Sequence, residues 1–164
     1  MIEFWKKILW QQYGATIDML ENAIVACPDE LWGGELKYWY IAYHTLFFLD
    51  YHLNDDAGTF FPPEPFTMSE MDPSGLMPDR VYSKAELITY LEHCREKCHS
   101  VIKALTEQNA ETFITNNYKK EYSKVEILLY NMRHVQHHTA QLNLLLRQSG
   151  HEPPLWVSRA RKAY

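Results

Sequence analysis

Five of the eight prolines in this 164-residue chain lie between Asn54 and Tyr82, and that segment separates two long stretches of helical pattern. The segment also carries six acidic residues against one basic residue, and two of the six glycines. Connections longer than ~12–15 residues are uncommon inside a compact domain and need a structural reason. A segment of this size can run the length of a helical bundle, so that the next helix starts parallel to the previous one. Residues 54–82 are therefore predicted to form a crossover connection, called the crossover segment below.

Two helices are predicted before the crossover. Residues 2–25 contain no proline, and their apolar side chains recur at spacings of three to five, as in an amphipathic helix. These side chains are Phe4, Ile8, Tyr13, Ile17, Leu20 and Ile24. Pro28 ends this helix, and a second helix is predicted from Glu35 to Leu53, where most positions are aromatic or aliphatic. Because a helix that is apolar nearly all round needs several neighbours, helix two is expected to lie centrally or to meet a second subunit.

Two capping boxes mark the helices after the crossover. Ser83 with Glu86 predicts a third helix over about 84–106, and Ser123 with Glu126 predicts a fourth helix from Lys124 to Ser149, before Gly150. The polar residues 107–122 between them are expected to form a short turn or a frayed helical segment.

The tail that follows Pro153-Pro154 has to leave the helix. We expect Leu155, Trp156 and Val157 to pack back onto the bundle, because they are the apolar residues of the tail.

Composition indicates one all-α domain over residues 1–164. The chain is 46% hydrophobic and 14% aromatic, which excludes a disordered chain, and its few glycines and prolines argue against a many-turned β-sandwich. The net charge is −5, and the basic residues of the last third are scattered, which argues against nucleic-acid binding. Three cysteines form no even disulfide framework, and no 18-residue apolar run is present, so a cytoplasmic protein without a membrane segment is expected.

The fourth helix carries the residues that suggest chemistry. With His134 at zero on a helical wheel, His138 falls at about +40° and Gln141 at about −20°, in line with the apolar stripe. His137 falls near −60°, at the edge of the stripe. Side chains four residues apart stand ~5–6 Å apart on one face, a separation that one divalent ion can bridge. We therefore expect His134, His138 and Gln141 to face the core, with the two histidines at metal-binding spacing.

A third ligand decides between a metal site and two hydrogen-bonded core histidines. His44 is the best candidate, since it lies in the middle of helix two with Tyr40 and Phe48 one turn away on either side. His52 lies two turns later, close to the crossover. A set of three histidine ligands leaves metal positions open for water or substrate, as in catalytic sites. Because a chain of this length can build its own core, any metal would serve function.

Other polar groups suggest less. Cys94 and Cys98 with their neighbouring histidines could in principle bind a second metal, although small buried thiols on a core helix are far commoner. The crossover acids Asp55, Asp56, Glu64 and Asp72 are expected to be solvated. The sequence contains no nucleophile motif and no glycine-rich phosphate loop, and it identifies no catalytic residue.

Several of these features together resemble the DinB/YfiT-like superfamily of metalloenzymes. They are His44 in helix two, the H-x-x-x-H-x-x-Q pattern from His134 to Gln141, the Leu-Leu-Arg-Gln-Ser-Gly ending at Gly150, and the long second connection. The resemblance implies a four-helix bundle of up-down-down-up order, often homodimeric, in which His44, His134 and His138 hold a divalent metal ion such as Zn, Ni or Fe. Characterised relatives include thiol-dependent S-transferases and a mycothiol-dependent isomerase.

The expected function is accordingly metal-dependent transfer of a low-molecular-weight thiol to a small electrophile. The bound ion would lower the pKa of a water or thiol and supply a nucleophile near neutral pH. A metal-dependent hydrolase is the alternative, because the same ion could activate water. A third hypothesis is a non-catalytic helical module that dimerises through helix two. The expected partners are a small-molecule substrate and a second copy of the chain.

Overall fold

The protein is mostly helical, as the sequence predicts. The computed structural model describes residues 1–115 and 119–164. The helices are α1 (Ile2–Ala26), α2 (Asp29–Trp32), α3 (Tyr38–Tyr51), α4 (Lys84–Lys103), α5 (Glu107–Ala110) and α6 (Lys124–Gln148). Within the described residues, no helix has the length and apolar character needed to cross a membrane.

The four long helices share one core. Helix α1 packs against α4 and α6, and α3 packs against the same two helices. Their buried side chains form a single apolar cluster with many aromatic rings. The largest fully buried aromatic side chains are Trp10, Tyr13, Tyr38, Tyr43, Tyr82, Tyr90 and Phe47. Since each large ring buries ~150–250 Å², these rings contribute a large share of the apolar area removed from water.

The predicted second helix corresponds to α3, which begins at Tyr38 and is shorter than expected. The short helix α2 and a turn precede it. Residues 35–37 are not helical, and Lys37 adopts a left-handed conformation with φ of 51° immediately before α3. The chain reverses there because the turn after α2 has to bring Tyr38 back onto α1, where its hydroxyl donates to the Ala23 carbonyl at 2.7 Å. The predicted third and fourth helices, α4 and α6, begin where expected. The hydroxyls of Ser83 and Ser123 accept hydrogen bonds from backbone N–H groups of the first turn.

Residues 54–82 cover the outer side of α3. The Phe60 ring contacts Phe47 at 5.2 Å between centroids, and the Phe66 ring stacks on Tyr90 at 4.4 Å. The segment contains two 3₁₀ turns, Ala57–Thr59 and Met68–Met71. No residue of α3 is left exposed. Of the two expectations for helix two, a central position or contact with a second subunit, the structure supports the central position, because residues 54–82 of the same chain cover its outer side.

The polar stretch between the third and fourth helices contains β-structure that the sequence does not predict. After α5, strands β1 (Phe113–Thr115) and β2 (Glu121–Ser123) pair antiparallel, with Ile114 opposite Tyr122. Three-residue strands are too short to show a period of two, and Phe113 is exposed. Residues 116–118 of the predicted turn lie outside the described part of the chain.

The C-terminal tail is held differently from the prediction. Leu155 and Trp156 are 88% and 71% exposed, so the expectation that they pack back is wrong, whereas Val157 is half-buried. The tail is fixed instead by its last residues, which bond to α1 through the backbone. The Ala160 N–H donates to the Gln11 carbonyl at 2.9 Å, and the Trp10 indole N–H donates to the Lys162 carbonyl at 2.9 Å.

The close approach of the tail explains a glycine in the middle of α1. A Cβ at Gly14 would stand 2.6 Å from Cβ of Ala160. We expect Gly14→Ala to destabilise the protein, because overpacking costs ~1–3 kcal/mol and exceeds the ~1 kcal/mol gained in helix propensity. The double variant Gly14→Ala/Ala160→Gly removes the clash and should recover the loss. Urea unfolding of wild type, the two single variants Gly14→Ala and Ala160→Gly, and the double variant gives the coupling energy between the two positions. A Gly14→Ala protein more stable than wild type would contradict the close contact.

Candidate metal centre

Three histidines from two helices meet at one point between α3 and α6. His44 lies in the middle of α3, and His134 and His138 lie one turn apart on α6. The His44 ring centroid is 5.5 Å from that of His134 and 4.7 Å from that of His138. One nitrogen of each ring lies within 4.8 Å of the others. The structure thus brings together the three histidines that the sequence singles out.

Hydrogen bonds on the far side of two rings turn the Nε2 atoms towards each other. Nδ1 of His138 lies 2.6 Å from Oε1 of Gln141, and Nδ1 of His44 lies 2.7 Å from Oε2 of Glu70. Both acceptors are oxygens, so Nδ1 is the donor in each bond, which leaves Nε2 as the ring nitrogen that can face a metal ion. Nε2 of His138 is 3.1 Å from Nε2 of His134.

The environment keeps the two helix-α6 imidazoles neutral. Burial lowers the pKa of His134 to about 3, and the neighbouring imidazole of His138 contributes in the same direction. Burial also lowers the pKa of His138, partly offset by its bond to Gln141. Neutral imidazoles offer lone pairs to a metal ion without first releasing a proton, so both rings are ready to bind at neutral pH.

The donor set fits a divalent ion. Nitrogens bound at ~2.0–2.1 Å in tetrahedral geometry stand roughly 3.3 Å apart, close to the 3.1 Å between His134 and His138. Oε1 of Glu70 is buried and has no hydrogen-bond partner among the described residues. Burying a carboxylate oxygen without a hydrogen-bond donor costs free energy, and a cation nearby would offset that cost. Three imidazoles and a neighbouring carboxylate are therefore compatible with a metal site.

Two residues of this centre were missed or misplaced by the sequence reasoning. Glu70 was not singled out, because nothing in its local sequence separates it from the other acids of the crossover. Gln141 was expected to face the core, yet it is exposed and bonds to His138 from the surface. Its spacing of three from His138 was the available signal, since residues three apart are neighbours on a helix.

The remaining candidates are not part of the group of three. His137 is exposed on the outer side of α6, with its ring 5.0 Å from that of His138. Asp55, Asp56 and Glu64 are exposed as expected, whereas Asp72 is partly buried. Cys94 and Cys98 are fully buried free thiols, and burial raises the pKa of both. Within residues 1–115 and 119–164, no other group of three histidine, cysteine or acidic side chains is close enough to share an ion.

His52 is buried near the centre without joining it, and it provides a pH test. The side chain is 8% exposed among aromatic rings, and burial lowers the pKa of His52 to about 4. Between pH 6.5 and 4 the unfolded chain binds a proton at His52 and the folded chain does not, so stability falls as the pH falls. Relative to His52→Phe, metal-free wild type should lose about 3 kcal/mol more between pH 7 and pH 4. Equal losses in urea unfolding would contradict this.

An open hollow of about 520 Å³ lies next to the centre on the outer side of α6. His134 forms part of its wall, together with Arg133, Tyr130 and His137. Arg133 is exposed and makes no ion pair among the described residues. A small molecule in this hollow would therefore have a free cation and the edge of the histidine cluster within one cavity.

The comparison with known families agrees with this arrangement. Comparison with curated protein sequences finds no match. The DinB family matches residues 70–162, more than half of the chain. The matched range includes Glu70, His134 and His138, and His44 lies before it. The chain belongs to the DinB family.

Proposed function

We propose that the protein is a divalent-metal-dependent enzyme whose ion is held by His44, His134 and His138. The observation that carries the proposal is the convergence of three imidazoles, two of them with pKa values lowered by burial, beside a buried carboxylate oxygen without a partner. Three histidine ligands also leave coordination positions open, which is the arrangement of a catalytic site.

The reaction proposed is transfer of a low-molecular-weight thiol to a small electrophile. When bound, the ion lowers the pKa of a thiol or water and supplies a nucleophile near neutral pH. The chain's own contribution is to orient the rings of His138 and His44 through Gln141 and Glu70. Arg133 in the adjoining hollow supports an anionic substrate, since its exposed guanidinium can bind a carboxylate of the thiol or of the electrophile.

Thiol transfer can be tested against hydrolysis with the same preparation. Protein loaded with Zn²⁺ is mixed with cysteine or glutathione and 1-chloro-2,4-dinitrobenzene, so that a C–S bond forms, chloride leaves and the thiol proton goes to solvent. A thiol-dependent rate in wild type that His138→Ala loses would support transferase chemistry. Cleavage of 4-nitrophenyl acetate without thiol would favour the hydrolase. Metal binding without either reaction would favour a non-catalytic module.

Arg133→Gln offers a sharper test of the anionic substrate. The variant should raise KM for a carboxylate-bearing thiol and leave Zn²⁺ affinity unchanged, because Arg133 is not near enough to bond to the three rings. An unchanged KM would remove the argument for an anionic substrate and leave the metal centre standing.

The proposal includes the up-down-down-up bundle over residues 1–164. The Tyr38–Ala23 bond supports opposite directions for α1 and α3, because the start of α3 meets the end of α1. The ion pair of Asp50 with Lys97, near the ends of both helices, supports parallel α3 and α4. The ion pair of Lys124 with Asp55 sets the start of α6 beside the end of α3, which supports an antiparallel return.

We propose a homodimer whose interface is formed by α1 and α6, and not by α3, the predicted helix two. Trp5, Ile8 and Leu129 are exposed along an apolar groove of about 470 Å³ between these helices. Stable symmetric interfaces bury ~1,600 Å² in total and are apolar at their centre. Sedimentation at tens of micromolar should show a dimer that Trp5→Glu dissociates, and a wild-type monomer would contradict it.

A cytoplasmic location and independence from nucleic acids complete the proposal. All three cysteines are free thiols, which suits a reducing compartment. The net charge of −5 opposes binding to phosphate backbones.

A further inference from the structure

Glu70 connects the crossover segment to the histidine cluster. It lies in the 3₁₀ turn Met68–Met71, and its side chain is only 4% exposed, whereas Asp55, Asp56 and Glu64 in the same segment are exposed. Its Oε2 accepts the Nδ1 proton of His44 at 2.7 Å. This bond fixes the ring orientation and leaves Nε2 of His44 free to face the other two histidines.

The surroundings of Glu70 make its charge important. Close to the carboxylate are the imidazoles of His44 and His138 and the hydroxyl-bearing rings of Tyr40 and Tyr43. Burial and the nearby carboxylate raise the pKa of Tyr40 to about 12, so Tyr40 carries no charge at neutral pH. None of these groups is a permanent cation.

The turn that carries Glu70 is held by contacts independent of the histidines. The Tyr43 hydroxyl donates to the Thr67 carbonyl at 2.8 Å, and the Phe66 ring is packed between Tyr43 and Tyr90. These contacts set the turn against α3 and α4. The position of Glu70 beside His44 therefore depends on the crossover segment being closed onto the bundle.

We propose that Glu70 is a positioning residue of the metal centre, and that through it metal binding and closure of the crossover segment stabilise each other. The inference rests on the proposed metal centre. Carboxylates that accept the second ring proton of a ligating histidine raise its basicity, and removing them typically costs 10–100-fold in metal affinity. Because coupling between two equilibria is reciprocal, an ion that binds more tightly to the closed segment must favour closure by the same factor.

The test compares two substitutions at Glu70 with a matched control. Glu70→Gln keeps an oxygen that can accept from His44 but removes the charge, and Glu70→Ala removes both. Glu64→Gln changes an exposed acid of the same segment. Zn²⁺ affinity is measured by competition with a chromophoric chelator, and amide hydrogen exchange of residues 66–71 is measured with and without Zn²⁺.

We expect both Glu70 variants to weaken Zn²⁺ binding 10–100-fold, with Glu64→Gln equal to wild type. Zn²⁺ should slow exchange of residues 66–71 at least tenfold in wild type and have little effect on them in Glu70→Ala. Circular dichroism establishes that each variant is folded, and Glu70→Gln, which is nearly the same size, covers the case in which the alanine variant is not.

The possible outcomes distinguish failure of the role of Glu70 from failure of the proposed metal centre. If wild type binds no Zn²⁺, the proposed metal centre fails, and this inference fails with it. If wild type binds Zn²⁺ and both Glu70 variants bind it equally well, the metal centre stands and the role of Glu70 is wrong. Weakened binding without any change in exchange would contradict the coupling to the crossover segment.

Discussion

Replacing any one of His44, His134 or His138 by alanine is expected to lower metal affinity by at least 100-fold. Binding energies of protein sites for Zn²⁺ run to ~10–16 kcal/mol where four ligands contribute. Loss of one imidazole therefore removes roughly 3 kcal/mol or more, and each 1.4 kcal/mol is a factor of ten. Metal content after dialysis of untagged protein should fall from one ion per chain to nearly none in each variant.

Two other histidines serve as controls for this result. His137→Ala should keep its metal, because His137 is exposed and is not one of the three histidines whose ring nitrogens lie close enough to share an ion. His52→Ala should keep it also, although this variant is less stable, because the His52 ring lies 6.3 Å from the His134 ring without joining the group of three. A loss of metal from His137→Ala as large as that from His138→Ala would overturn the ligand assignment.

Removing the metal from wild type is expected to abolish turnover and leave the helices in place. The aromatic core of α1, α3, α4 and α6 is built without the ion, and a chain of 164 residues is long enough to fold by burial alone. Free metal at a thousandfold excess over Kd adds ~4 kcal/mol of stability by mass action. At ~2–4 °C per kcal/mol, Tm should drop by about 10 °C on chelation.

Circular dichroism with and without a chelator checks the expectation, and His138→Ala gives the matched control. In that variant, adding Zn²⁺ should leave Tm unchanged, because the native state no longer prefers the ion. A wild-type protein that unfolds at room temperature on chelation would show that the metal is structural, and the catalytic proposal would lose its main physical support.

The parts of this centre that could be predicted from sequence are those set by helical periodicity. His134 and His138 are four residues apart on a helix with a strong apolar stripe, so their shared face follows from 100° per residue. His44 could be singled out because apolar residues surround it on its own helix. The helix starts at Ser83 and Ser123 could also be predicted from the sequence, because a capping hydroxyl bonds to the backbone within one turn.

The parts that could not be predicted depend on contacts between distant residues. Glu70 is one of six acids in the crossover, and the packing of Phe66 against Tyr43 and Tyr90 sets the turn in which this acid is buried. The cover over α3 has the same origin, because irregular segments have no period that would reveal which side chains face inward. The tail follows backbone hydrogen bonds to α1, and backbone groups carry no sequence signal.

The bond between Trp10 and the Lys162 carbonyl also constrains how the chain can fold while it is being made. Helix α1 is synthesised first, but its packing partners are α4, α6 and the last residues of the tail. At ~5–20 residues per second, roughly 8–30 s pass between the synthesis of Trp10 and of Lys162. The partner α4 of helix α1 is synthesised in the middle part of that interval, whereas α6 and the tail follow near its end. The native fold can therefore be completed only after translation has reached the tail.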